Sequence, residues 1–120
     1  MIDKNRRNRR FKKSINMQYC IAGVYPKKWD MSIIDNISIG GVKFSAPSDL
    51  QLKGKIVQLQ IKIPELAPRL LEVEAMVLDT QPRFNAKYCD VRAKFINLTD
   101  INKEHLSIVE KMIEKNSDRH

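Results

Sequence analysis

From Ile56 to Ile63 every second side chain is apolar: Val57, Leu59, Ile61 and Ile63 alternate with Gln58, Gln60 and Lys62. A period of two sends successive side chains to opposite faces of an extended strand, so one face meets a core and the other meets water. The pattern returns over Arg69–Leu78, where Leu71, Val73, Ala75 and Val77 oppose Glu72 and Glu74. It returns again where Cys89, Val91, Ala93 and Phe95 oppose Asp90, Arg92 and Lys94. Near the start, from Ser14, the residues Ile15, Met17, Tyr19 and Ile21 share one face, with Asn16, Gln18 and Cys20 on the other.

Two further strands are expected over about Lys28–Ile34 and over Val42–Ala46, with Asp35–Gly41 as the turn between them. Gly23 and Pro26, Pro47-Ser48-Asp49, Gly54, Pro64 and Gln81-Pro82-Arg83 punctuate the rest. Five or six strands with one apolar and one polar face, in about 85 residues, predict an antiparallel sheet wrapped round a core. Closure into a small barrel removes the exposed edges that an open sheet of this size would present. After Thr99-Asp100 the period changes to that of a helix, with Leu106, Val109, Met112 and Ile113 on one stripe. Thr99 or Asp100 can cap its start, Lys111 and Lys115 complement its dipole, and Asn116-Ser117 bounds it.

A chain of 120 residues suits one domain with a core that needs no disulfide or metal. The fold expected is thus dominated by β-structure, with a basic N-terminal arm (1–13), a barrel (14–98) and a C-terminal helix (99–116). Charge is unevenly spread. Residues 1–13 hold seven basic side chains against one acid, a net +6 of the total +8. Such an end seeks a polyanion, a phosphate ligand or an anionic surface.

Other features narrow the function. The first residues are charged and no apolar run follows, so neither a secretory leader nor a membrane span is expected, and the protein reads as cytoplasmic. Cys20 and Cys89 are far apart and lack CxxC spacing, which predicts buried or half-buried reduced thiols. His105 and His120 have no clustered partners, so no metal site is expected. Glu72 and Glu74 read as a solvated strand face. No Ser-His-Asp, Cys-His or Walker-type constellation is present, and no enzyme is predicted.

The basic run Arg6-Arg7-Asn8-Arg9-Arg10 contains the pair Arg6-x-x-x-Arg10, and about 25 residues later comes Asn36-x-Ser38-x-x-Gly41. Taken alone, the second stretch is a turn, since Asn and Ser bond nearby backbone and glycine permits positive φ. In this order and spacing, on an all-β pattern, the two resemble the PilZ family, whose domains carry RxxxR and then (D/N)xSxxG. The resemblance spans nearly the whole chain. It implies a six-stranded antiparallel barrel with helical additions. It also implies a receptor for the bacterial second messenger cyclic di-GMP that takes no other cofactor.

By that resemblance Arg6, Arg10, Asn36, Ser38 and Gly41 are ligand-binding residues. Lys43, two positions after the motif glycine, matches a basic residue that some members carry. Arg7 and Arg9 read as solvated or phosphate-steering residues that can add contacts. Many members have glycine where this chain has Arg92, three residues before Phe95; Arg92 is either a solvated charge or an extra ligand contact. Trp29 is either a partly buried barrel residue or a stacking surface. Partners implied by the family are flagellar motor parts, polysaccharide synthases and other regulators.

The chemistry is sensible in its own right. Arginine forks onto phosphate oxygens, donates to guanine O6 and N7, and lies flat on a guanine face. Gly41 would permit close ligand approach, and an arm that orders on binding changes the surface a partner sees. Two alternatives compete with this reading. One is a basic small barrel that binds nucleic acid, against which stands the scarcity of outward aromatics for stacking. The other is a PilZ-type protein adaptor without ligand.

Overall fold

The computed structural model describes residues 15–63, 70–83 and 87–118, with side chains as far as residue 112. Six strands form a closed barrel: β1 (Ile15–Ile21), β2 (Asp30–Ile37), β3 (Gly41–Pro47), β4 (Ile56–Lys62), β5 (Leu70–Pro82) and β6 (Tyr88–Ile96), in the order β1-β2-β3-β6-β5-β4. Every neighbouring pair is antiparallel, and β1 against β4 closes the ring, with Met17 opposite Ile61 and Ile21 opposite Val57. A single 3-10 turn (Ser48–Leu50) leaves β3, and helix α1 spans Asp100–Asp118.

Alternation sets the inside and the outside. Val57, Leu59 and Ile61 of β4, Leu71, Val73, Ala75 and Val77 of β5, and Val91, Ala93 and Phe95 of β6 are all buried. Among the described residues no charged side chain is buried. Tyr19 and Phe44 meet inside the barrel with ring centroids 5.2 Å apart.

Helix α1 starts from a reciprocal cap. Thr99 Oγ1 accepts the Asn102 N–H at 3.0 Å, and Asn102 Oδ1 accepts the Thr99 N–H at 3.2 Å. Asn97, at φ 54, makes the left-handed step that leads from β6 toward the helix, a conformation Asn tolerates. Leu106 and Val109 enter the barrel core and Met112 packs against it. Asn102 Nδ2 donates to the Glu72 carbonyl at 3.3 Å and Glu110 reaches Ile39, so α1 lies across one end of the barrel. The start of β1, the β2–β3 turn and the end of β6 all gather at that end, as the pairs Ile15–Ile34, Ile37–Val42 and Gly41–Lys94 require.

Several boundaries differ from expectation. The stretch Asp35–Gly41 is not all turn: β2 runs on to Ile37 and only Ser38–Gly40 turn. A bulge at Asp35 allows this, because the register slips between Ile34 and Asn36 and Asn36 still pairs with Lys43. Gln81 and Pro82 do not turn the chain; they pair with Asp90 and Cys89, and proline is tolerated as the last residue of its strand. Helix α1 runs past Asn116-Ser117 to Asp118. Cys20 points to the outer face yet is only 2% exposed, with its Sγ 3.4 Å from Gln58 Oε1. Both cysteines are free and buried, and burial raises the pKa of both thiols.

The Tyr19 hydroxyl is buried without a hydrogen-bond partner among the described residues. Burial first, then the nearby Asp30 and Cys89, push its pKa up to about 12. The barrel accepts the neutral phenol, so this contribution to stability is intact below pH 10 and is lost as pH rises to about 12. Tyr19→Phe should therefore raise stability by about 1 kcal/mol at neutral pH and flatten the alkaline decline, as read from urea midpoints across pH. Phe44→Ala, at a fully buried position, should instead cost about 3–5 kcal/mol.

Candidate ligand-binding site

On the outer face of the barrel, at the end covered by α1, lies a cavity of about 390 Å³. The register builds it. Asn36 of β2 stands opposite Lys43 of β3, and Lys43 stands opposite Arg92 of β6, a row across three strands. Neighbouring strands are about 4.8 Å apart, so the row spans roughly 10 Å. Lys94 lies one outward position along β6, opposite Gly41. The cavity is lined by Asn36, Ser38, Gly41, Lys43, Arg92 and Lys94, together with Leu78 of β5 and apolar neighbours. Among the described residues no carboxylate, histidine or cysteine lines it.

The turn at its edge is tightly wired. The Ser38 N–H donates to the Gly41 carbonyl at 2.9 Å, and the Gly40 N–H donates to Ser38 Oγ at 3.3 Å. A hydroxyl oxygen that accepts a bond keeps its own proton to donate, and Ser38 lines the cavity. Phe95 N–H donates to the Gly40 carbonyl at 3.1 Å, which ties the turn to β6.

Gly41 has a structural reason that differs from the expected one. A Cβ there would sit 2.4 Å from the Ala93 carbonyl oxygen, so the missing side chain lets β3 approach β6. No positive φ is involved at this place.

Two bulges flank the cavity. The second, between Val77 and Asp79, leaves Leu78 exposed and lining the cavity. The first, at Asp35, is held by Arg83. Its Nε donates to Asp90 Oδ1 at 2.7 Å and its Nη2 to Asp35 Oδ2 at 3.1 Å. Arg83 thus braces the residue beside Asn36 from across β3, and its pKa is raised chiefly by the bond to Asp90.

Of the residues expected to bind, five meet at this cavity: Asn36, Ser38, Gly41, Lys43 and Arg92. Arg6, Arg7, Arg9 and Arg10 lie outside the described residues. Lys94 and Leu78 were not singled out by sequence reasoning. Lys94 shares the outward face of Arg92 and was open to detection by period alone, whereas Leu78 depends on a bulge that no local signal announces. Arg83, read as part of a turn, is a brace visible only in three dimensions.

A second groove, also about 390 Å³, lies on the outer faces of β4 and β5, where half-buried Trp29 meets Gln58, Gln60, Glu72 and Glu74. The two glutamates accept bonds there from Gln60 and Asn97, each at 3.1 Å. Among the described residues no three His, Cys, Asp or Glu side chains converge as metal ligands, and no helix is long and apolar enough to cross a membrane.

The family model of the PilZ domain matches residues 4–110. The chain belongs to the PilZ domain family. Similar solved structures agree on the fold. The inhibitor of motility MotI/DgrA of Bacillus subtilis superposes with a TM-score of 0.71 at 19% identity, over 89% of this chain and 50% of that one. The PilZ domain of Escherichia coli YcgR, solved with c-di-GMP, gives a TM-score of 0.63 at 12% identity, over 89% and 94%. PlzA of Borreliella burgdorferi, in complex with c-di-GMP, gives 0.54 at 11% identity, over 100% and 60%. This PilZ chain therefore spans half the length of the Bacillus protein and 60% of the Borreliella protein. No curated protein sequence matches it.

The Gly41 contact generates a direct test. Gly41→Ala should force β3 from β6 and cost about 1–3 kcal/mol, seen as a lower urea midpoint. An unchanged midpoint would mean that the strand spacing yields freely and that glycine is there for another reason.

Proposed function

We propose that this PilZ domain is a cyclic di-GMP receptor, a binding module and not an enzyme. The observation that carries the reading is the like-charged pair Lys43 and Arg92. These two cations face each other directly in register, with Lys94 close by, in a cavity with no carboxylate among its described lining residues. Like charges directly opposite destabilise a sheet. An anion seated between them relieves that cost. A ligand with two phosphates and two guanines fits the rest of the lining. Ser38 donates to phosphate oxygen, Arg92 and Lys94 offer donors to phosphate or to guanine O6 and N7, and Leu78 gives an apolar surface for a base.

The arm 1–13 supplies Arg6 and Arg10, which close over the ligand from the side opposite the barrel, and Arg7 and Arg9 add steering charge. Strand β1 begins at Ile15, opposite Ile34 and close to Asn36, so an arm leading into it has a short way to reach. Closing the arm costs conformational entropy and alters the surface beside α1, which a protein partner would read. In this view arm, barrel and helix (1–13, 14–98, 99–116) work as one receptor unit. The c-di-GMP bound by the Escherichia coli and Borreliella burgdorferi proteins supports the ligand choice.

Isothermal titration calorimetry tests it, with cyclic di-GMP as ligand and GMP and a short RNA as controls. Saturable binding of the dinucleotide alone is expected. Arg10→Ala and Ser38→Ala should each weaken it roughly 10- to 100-fold, as the loss of a hydrogen bond to a charged group does. Uptake of RNA that falls steeply with salt, with no response to cyclic di-GMP, would overturn the receptor reading in favour of a nucleic-acid binder.

A further inference from the structure

The β2–β3 turn already holds an anion of the protein's own. Its three amides divide clearly: Ser38 N–H and Gly40 N–H bond within the turn, while Ile39 N–H donates outward to Glu110 Oε2 at 3.3 Å. Glu110 sits on α1 next to Val109, which with Leu106 is anchored in the barrel core. The carboxylate is therefore delivered to the turn by a fixed element and not by a wandering surface side chain.

A carboxylate on a turn amide is chemically what a phosphate oxygen of a ligand would be there. The rest of the neighbourhood is cationic, through Lys43, Arg92 and Lys94. We propose that Glu110 is a resident counter-anion of the motif turn, which an anionic ligand in the adjacent cavity weakens or displaces. This inference rests on the receptor reading above and adds a route by which the site speaks to α1. Ligand phosphate near Ser38 repels the Glu110 carboxylate, the bond to Ile39 N–H weakens, and α1 beyond Val109 loses its tie to the turn. Linkage makes the effect reciprocal: whatever frees Glu110 must raise ligand affinity by the same factor.

Glu110→Gln separates charge from geometry, because its amide oxygen still accepts from Ile39 N–H while the charge is gone. Calorimetry with cyclic di-GMP should show roughly two- to tenfold tighter binding for Glu110→Gln than for the wild type, the range expected of one partly exposed charge. Glu110→Lys should bind more tightly still. Amide hydrogen exchange gives a second readout: ligand should speed exchange over 106–112 in the wild type, and should speed it less in Glu110→Gln. A merely structural role predicts the reverse, with affinity falling in Glu110→Lys and kept in Glu110→Gln. A wild type that binds while Glu110→Gln leaves affinity unchanged overturns this inference alone. A wild type that takes up no cyclic di-GMP overturns the receptor reading, and this inference with it.

Discussion

The pairing of β1 with β4 is what the rest of the molecule depends on. Five residue pairs, from Met17–Ile61 to Ile21–Val57, close the ring. Once it is closed, no strand edge is left to template association, and each strand has a single inner face. That face must be apolar throughout, and it is: the described core contains no charged residue. Among the described residues the Tyr19 and Ser48 hydroxyls are buried without a partner, and the Tyr19 phenol stays neutral far into the alkaline range. The charged side chains of the described residues are therefore on the outside, and closure fixes how outward residues of different strands line up.

That alignment creates the site. Asn36, Lys43 and Arg92 come from β2, β3 and β6, and only the register brings them into one row. The row is not a by-product of ideal geometry. The bulge at Asp35 shifts β2 by one residue so that Asn36 can face Lys43, and Arg83 ties the bulged residue to Asp90 across β3. Gly41 then lets β3 and β6 come close enough for the Phe95 N–H to reach the Gly40 carbonyl. Bulges and close approaches of this kind gather where a sheet has to aim side chains at something.

What could be read from residues alone follows the range of the forces involved. Alternation is local, so strands such as Ile56–Lys62 and the apolar stripe of α1 were legible, and so was the economy of closing the barrel. Asn36, Ser38 and Gly41 stood out because their spacing forms a family motif, and Arg92 because it breaks a family pattern. The end of β2 was misread because Asn, Ser and Gly favour turns locally, whereas pairing with β3 holds Asp35–Ile37 extended. Cys20 falls on the outer face by period, and the burial expected of its thiol holds because neighbours on that face cover it. Arg83 and Glu110 act on residues 48 and 71 positions away, and no local pattern encodes partners at that distance.

Charge placement joins these parts into one argument. A barrel with only a small excess of cations could spread them to minimise repulsion, yet Lys43 and Arg92 are set directly opposite each other with Lys94 near. Acids are present close by as well: Asp79 stands opposite Arg92 on β5, Asp35 and Asp90 are held by Arg83, and Glu110 by the backbone of Ile39. Three of the four neighbouring carboxylates are thus held on other partners, and Asp79 faces only the β5 side of Arg92. Arg83 holds Asp35 as a charge-assisted pair at the surface, anchored by its second bond to Asp90. Glu110 differs, because its partner is a neutral amide at the rim, and its hold is the weaker of the two where an incoming dianion competes for the same ground.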